Sequence, residues 1–118
     1  MADILFQLSN RDPRLARVSW ANVTDDDTAL AYEIGNIPLG LNGAVQIEGT
    51  FDGATVALEG TVDGTNFHTL TTLLGAGASL TSAGIFEFTT AVLAIRPKVT
   101  GGGGSESITV TALLRFAS

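Results

Sequence analysis

Alternation of apolar and polar residues, broken by glycine-rich turns, runs through most of this chain. In residues 107–116 the apolar residues Ile108, Val110, Ala112 and Leu114 occupy alternate positions. A period of two places successive side chains on opposite faces of the backbone, as in a strand with one buried face. Segments of this kind lie at 29–34, 44–51, 54–62, 66–73, 84–89, 92–100 and 107–116. No segment of helical length has a 3.6-residue period, so the sequence predicts an all-β, antiparallel β-sandwich or jelly roll of seven or eight short strands.

A doubled motif marks the centre of the chain. Glu-Gly-Thr-Phe-Asp-Gly at 48–53 recurs as Glu-Gly-Thr-Val-Asp-Gly at 59–64, eleven residues later. Eleven residues correspond to one strand plus one turn, and Asp-Gly supplies the positive φ angles of a type I′ hairpin. The spacing therefore predicts three antiparallel strands joined by two tight hairpins. Because successive turns of such a meander lie at opposite ends of the sheet, Asp52 and Asp63 are not expected to share a metal ion.

Two strands carry more specific expectations. The period of 54–62 places Val56, Leu58 and Val62 on the inner face, and that of 92–100 does the same for Leu93, Ile95 and Val99. Pro97 lacks a backbone N–H, which predicts that its strand is at a sheet edge or bulged there.

The first 27 residues differ from the rest. Their periodicity is weak, and they carry three of the six basic residues. The sequence therefore predicts two parts, an N-terminal arm or edge segment at 1–27 and a β-sandwich domain at 28–118. Arginine and tryptophan are enriched at interface hot spots, so the residues expected to contact a partner are Arg11, Arg14, Arg17 and Trp20.

Two short runs are predicted to have no chemical role. Asp25, Asp26 and Asp27 are consecutive, so in an extended chain they cannot all point at one ion, and a solvated loop or strand-end cap is expected. Gly101–Gly104 is not followed by Lys-Ser or Lys-Thr and opens no helix, so it is expected to be a flexible loop tip and not a phosphate site.

Composition excludes several classes of function. The 118-residue chain has a net charge of −6, which disfavours nucleic acid as a partner because phosphate binding needs a basic surface. No apolar run approaches the ~20 residues of a membrane helix, and the first residues do not have the pattern of a signal peptide. With no cysteine in the chain, disulfides and thiolate chemistry are excluded.

Residues for catalysis are scarce. His68 is the single histidine, so it is the only candidate base for a catalytic triad, and no serine lies in a Gly-x-Ser-x-Gly motif. Glu48 and Glu59 are candidates for a glycosidase pair, but outward Glu and Thr residues are ordinary on a solvated sheet face. We expect no enzymatic activity, no catalytic or metal site and no cofactor.

The segment 54–70, Ala-Thr-Val-Ala-Leu-Glu-Gly-Thr-Val-Asp-Gly-Thr-Asn-Phe-His-Thr-Leu, resembles a hairpin of discoidin-like jelly rolls and of small phage virion proteins. The pattern over 43–116 is more similar to the second group, the short β-sandwich proteins encoded among the head genes of tailed bacteriophages. It includes Gly43–Gly49, Ala83–Ile85, Ile95–Gly102 and Ile108–Thr111.

This resemblance implies a capsid decoration or cement protein that binds the phage head shell at subunit junctions and stabilises it without chemistry. The implied partner is the major capsid protein, the implied assembly a homo-oligomer, with a trimer favoured. The implied location is the capsid surface of the virion after synthesis in the host cytoplasm. The alternative is a carbohydrate-binding jelly-roll module on a phage fibre or secreted protein.

Overall fold

The computed structural model describes residues 3–4, 6–12, 15–34, 41–90 and 92–116. Within them the regular structure is entirely β, and seven strands have six residues or more. Five of these seven match predicted segments and the other two lie before residue 28, whereas the predicted strands 29–34 and 66–73 are reduced to short pieces of two residues. The strands are β1 (Asp3–Ile4), β2 (Gln7–Asp12), β3 (Leu15–Val23), β4 (Thr28–Ala29), β5 (Tyr32–Glu33), β6 (Leu41–Thr50), β7 (Thr55–Thr61), β8 (His68–Thr69), β9 (Ser79–Leu80), β10 (Gly84–Thr90), β11 (Ala94–Thr100) and β12 (Ser107–Phe116). The described part of the chain contains no helix with the length and hydrophobicity of a membrane span.

The long strands form two antiparallel sheets. The front sheet has the order β10-β6-β12-β3-β2, with β12 at its centre. The back sheet has the order β5-β11-β7-β8, and β9 also pairs with β7. A short parallel pair of β1 and β4 lies outside both sheets. The predicted all-β sandwich is confirmed.

The core lies between the two sheets and follows the predicted alternation. On β12, Ile108, Val110, Ala112 and Leu114 are all fully buried. The largest fully buried side chains come from both sheets: Trp20, Phe88, Ile47, Leu58, Ile95, Ile108 and Leu114. The period of two is therefore sufficient to identify most of the core.

A bulge keeps β3 in phase with the core. The pairing of β3 with β12 shifts between Ile108 and Val110, so that two residues of β3 lie opposite Thr109. Asn22 has a φ of 56°, in the left-handed region that Asn tolerates better than most residues. The extra residue returns Val23 to the buried face, where strict alternation would have placed Asn22.

The predicted three-stranded meander is wrong in its first half. Asp52 and Gly53 have the positive φ angles expected, 46° and 81°, but they connect β6 in the front sheet to β7 in the back sheet. The buried residues of β6 and β7, such as Val45 and Val56, therefore reach the same core from opposite sheets. The second half holds in shortened form, because β7 and β8 pair antiparallel over two residues of each strand.

Two residues predicted to be inward are exposed. Val62 is 78% exposed because β7 ends at Thr61, and Leu93 precedes the start of β11 and is 39% exposed. Pro97 is as predicted: β7 pairs along the whole of β11, while β5 on the other side reaches only Ala94 and Ile95. The side of β11 at Pro97 is therefore a sheet edge.

The N-terminal residues are an integral part of the front sheet. β3 pairs with β12 from Leu15 to Val23 and sends Val18 and Trp20 into the core, and β2 pairs with β3 as the edge strand. Strands β2 and β3 therefore belong to the sandwich, and the arm alternative does not apply to these two strands.

Candidate interaction surfaces

The four residues predicted to contact a partner differ in their exposure to solvent. Arg17 is exposed on the outer face of the front sheet, opposite Leu113 on β12. Arg11 belongs to β2, but its side chain lies outside the described part of the structure, and Arg14 lies outside the described residues altogether. The fourth, Trp20, is fully buried.

Trp20 is a core residue, which corrects its assignment as a contact for a partner. Its Nε1–H donates to the backbone oxygen of Leu30 at 2.8 Å, satisfying the one polar atom of the ring. Phe6 packs edge-on against it with ring centroids 6.2 Å apart, and Phe6 and Tyr32 are 5.3 Å apart. Partial burial raises the pKa of Tyr32. Ala16, Val18 and Trp20 occupy alternate positions in the sequence, and this pattern already indicated that Trp20 is buried.

A hairpin loop of residues 71–77 lies against the edge strand β10. The Leu73 N–H donates to the Glu87 backbone oxygen at 3.0 Å, and the loop is closed by a 2.8 Å bond from the Thr72 N–H to the Ala76 oxygen. Edge strands present unpaired backbone groups that invite other chains. By occupying the oxygen of Glu87, the loop covers the middle of this edge, which disfavours extension of the sheet by a partner strand.

Loop 71–77 and β10 enclose an apolar groove of about 490 Å³, with Leu80 and Phe86 among its lining residues. Three large apolar side chains at this groove are exposed: Leu74 by 96%, Ile85 by 66% and Leu73 by 58%. We call these three residues the leucine edge. Contiguous exposed apolar surface commonly marks a site of protein interaction. The sequence interpretation missed this surface because it assigned 74–79 to a loop and did not predict which strand the loop would lie against.

The turn at 24–27 and the glycine loop at 101–105 meet around Glu106. This carboxylate is only 4% exposed, and its two oxygens accept the N–H groups of Asp25 at 3.0 Å and Gly104 at 2.8 Å. These donors, with the Glu106 N–H, lower the pKa of Glu106 to about 2. The hydrogen bond with Glu106, together with burial and repulsion, raises the pKa of Asp25.

Asp52 holds the same glycine loop from the other side. Its backbone oxygen accepts the Gly103 N–H, and its carboxylate accepts the Ser105 N–H, both at 3.0 Å. The predicted free loop tip is therefore tied to two acidic side chains by backbone hydrogen bonds. The described residues contain no group of three His, Cys, Asp or Glu side chains arranged to hold a metal ion.

The remaining polar candidates have structural partners. Glu59 forms an ion pair with Arg96 at 3.0 Å, and the Arg96 guanidinium lies 3.8 Å from the ring centre of Phe67. Glu48 accepts a hydrogen bond from Gln46 at 3.0 Å on the other sheet, so Glu48 and Glu59 are not cross-strand neighbours. His68 is exposed on the short strand β8.

Asp63 closes its own turn. Its carboxylate accepts the N–H groups of Thr65 and Asn66, each at 2.8 Å, and the Thr61 hydroxyl at 2.9 Å. These bonds hold the pKa of Asp63 well below its ordinary value. The second copy of the doubled motif is thus a turn, but it is not the predicted two-residue type I′ hairpin. Gly64 has a positive φ of 83° while Asp63 does not have a positive φ, and residues 62–67 separate β7 from β8.

Comparison with known proteins identifies the fold. No known protein family matches the sequence, and no curated protein matches it. The fold is similar to that of the SPBc2 prophage-derived protein YomS, with a TM-score of 0.63 and 13% identity over 90% of this chain and 98% of that one. A cupin domain from Bordetella pertussis aligns with a TM-score of 0.46 and 12% identity over 99% of this chain and 96% of its own.

Proposed function

We propose that this protein is a structural component of a phage virion, a decoration or cement protein that binds the head shell at subunit junctions and stabilises it. The observation that carries the proposal is the fold similarity to a prophage-derived protein over nearly the full length of both chains. The sequence resemblance of residues 43–116 to small virion sandwiches points in the same direction. In this proposal the protein does no chemistry and uses no cofactor.

The proposed mechanism is the burial of surface across a junction. A cement protein resists separation of neighbouring shell subunits because separation would re-expose the surface it covers. Each square ångström of apolar surface buried contributes roughly 25 cal/mol before the costs of association. Binding by a homo-oligomer, or to several subunits at once, multiplies the effect without any new type of contact.

The leucine edge is our candidate for the shell contact. Leu73, Leu74 and Ile85 are exposed together beside an apolar groove, and among the described residues that line the groove Glu87 alone is charged. The partner in this proposal is the major capsid protein, and the site of action is the outer surface of the capsid after synthesis in the host cytoplasm.

Co-sedimentation with empty shells assembled from the major capsid protein of the same phage tests this proposal. The wild-type protein should pellet with shells in a saturable manner, and Leu74→Asp should weaken binding by about tenfold or more because it places a charge in the contact. Val62→Asp is the matched control, since Val62 is also a highly exposed apolar residue but belongs to the turn after β7. A wild-type protein that never pellets with shells overturns the function, and equal loss in both variants overturns the leucine edge as the contact.

A further inference from the structure

The outer face of the front sheet is electrically balanced in an otherwise acidic chain. Four charged residues with described side chains lie on β3, β6, β10 and β12: the cations Arg17 and Arg115 and the anions Glu48 and Glu87. Their charges sum to zero, while the whole chain carries −6. Two copies of an acidic protein repel each other in general, but this face can approach its own copy without net repulsion.

The charges are also ordered across the sheet. Strand register sets Glu87 beside Ala44, Ala44 beside Leu113, and Leu113 beside Arg17. The row therefore has an anion on β10, two apolar residues in the middle and a cation on β3. Neighbouring strands are about 4.8 Å apart, so Glu87 and Arg17 are separated by about 14 Å and do not pair within one molecule.

In the middle of this row a depression lies beside a protruding side chain. Ala44 lies in a depression of about 180 Å³ bordered by Glu87, Leu113 and Arg115. Leu113 is 45% exposed although it is a large apolar side chain on a central strand. A small residue in a hollow and a large one beside it are the two halves of a self-complementary contact.

We propose that a second copy of this chain packs on this face, related by a two-fold axis that runs along the strands between β6 and β12. This rotation reverses the order of the strands, so each row meets itself end to end. Leu113 of each copy then faces the Ala44 hollow of the other, and Glu87 faces Arg17 on both sides of the axis. Such a contact is isologous and closed, as in most homodimers.

The neighbouring rows are compatible with the same axis. Arg115 is in register with Asn42, and Glu48 with Thr109, so across the axis each of these charges meets a neutral polar residue of the other copy. Ile85 is in register with Gln46, in the row that ends at Ser19, and across the axis it faces Ser19. Because Arg115 and Glu48 lie on the two strands beside the axis, each is also offset laterally by only about one strand spacing, ~4.8 Å, from its own symmetry mate across the interface. The two Glu87–Arg17 contacts have to offset these two like-charge approaches. Two sheets stacked in this way lie about 10 Å apart, the ordinary spacing for packed sheets.

The pairing goes beyond the proposed function. It places Ile85 of the leucine edge in the interface between the two copies and leaves Leu73 and Leu74 for the shell contact. It also gives a two-fold assembly where the family resemblance implies a three-fold one. Binding to shells is measured separately, so failure of the pair leaves the virion proposal standing, and failure of shell binding leaves the pair standing.

Charge reversal with sedimentation velocity over a concentration series tests the pair. Wild-type protein should form dimers, while Arg17→Glu and Glu87→Arg should each raise the dimer dissociation constant about tenfold or more, because each places two like-charge contacts at the interface. Mixing the two variants should restore dimers, since both contacts then join opposite charges. Lys98→Glu makes the same change in charge on the exposed face of the back sheet and should leave the dimer unchanged.

Restoration by mixing separates a lost contact from a misfolded variant, and circular dichroism of each variant confirms the fold. A wild-type protein that is monomeric or trimeric at all concentrations overturns the proposal. So do variants that dimerise as well as wild type, or a mixture that fails to recover dimers.

Discussion

Glu106 combines burial, a negative charge and two loops in one side chain. Its oxygens accept backbone N–H groups from the 24–27 turn and from the glycine loop, and the Asp25 carboxyl shares the same pocket. A Cβ on Gly102 would overlap the Glu106 side chain, so the loop approaches this closely only because residue 102 is glycine. The geometry makes Glu106 a structural carboxylate whose protonation weakens this end of the sandwich.

The stability of the folded protein should therefore fall with decreasing pH over a defined range. The pKa of Glu106 falls from 4.5 to about 2 in the folded protein, so its contribution is complete above pH 4.5 and is lost as the pH falls towards 2. Glu106→Gln replaces one accepting oxygen with an amide donor, so we expect a lower melting temperature at pH 7 and a flatter decline between pH 4.5 and 2. Thermal melts across this range measure both, and a variant that declines as steeply as wild type would contradict the assignment.

Ionisation of Asp25 should lower the stability of the fold, whereas ionisation of Glu106 raises it. Because the pKa of Asp25 is raised, the folded state favours its neutral form, and its charge costs stability at pH 7 that acid recovers. Asp25→Asn should therefore raise the melting temperature at pH 7, since the amide can donate to Glu106 and accept the Gly102 N–H. Asp26→Asn at the exposed neighbouring position is the control, and we expect little change from it.

The two copies of the Glu-Gly-Thr-x-Asp-Gly motif form different elements from the same residues. At the first copy the chain crosses between sheets and Asp52 binds Ser105 of the glycine loop, 53 residues further on, whereas at the second Asp63 binds only its own turn. Gly49 has a φ of 123° and passes against the Ser107 backbone, while Gly60 packs below Leu70 and Val92. The local pattern predicted that the chain turns at both copies, but it did not predict the type of turn or the strands that each turn joins. Those depend on tertiary contacts that six residues do not encode.

Hydrogen exchange can measure this difference. We expect the amide protons of Gly103, Gly104 and Ser105 to exchange more slowly than those of an unbonded glycine loop, because each N–H donates to Asp52 or Glu106. In Asp52→Ala the protection of Ser105 should fall by about threefold to tenfold, which is the worth of one net hydrogen bond. Gly104 serves as the internal control because Glu106 still holds it. Fast exchange of all three amides in the wild type would contradict the observed loop.

Across the whole molecule, the sequence predicts well those features that depend on the alternation of apolar and polar residues. The sandwich, the buried positions of β12 and the edge at Pro97 all follow from a period of two and from the missing N–H of proline. The sheet assignment of β6 and β7, the leucine edge and the Glu106 contacts depend on which distant segments meet, and no local period specifies that. Trp20 was misassigned for another reason: its residue type was given more weight than its place in the alternation.

The same distinction applies to function. Arg17 was selected from residue type and is exposed, but its neighbours Leu113, Ala44 and Glu87 became visible only from strand register. The surfaces that carry the proposals, the leucine edge and the outer face of the front sheet, are products of topology.

The central claim is that the protein is part of the virion head. Quantitative mass spectrometry of purified phage particles, with heads separated from tails, tests this most directly. We predict that the protein co-purifies with heads at a fixed ratio to the major capsid protein, on the order of one copy for every few capsid subunits, as expected of a molecule that occupies repeated junctions. Its absence from heads, or its recovery in a few copies with tails, would contradict the claim.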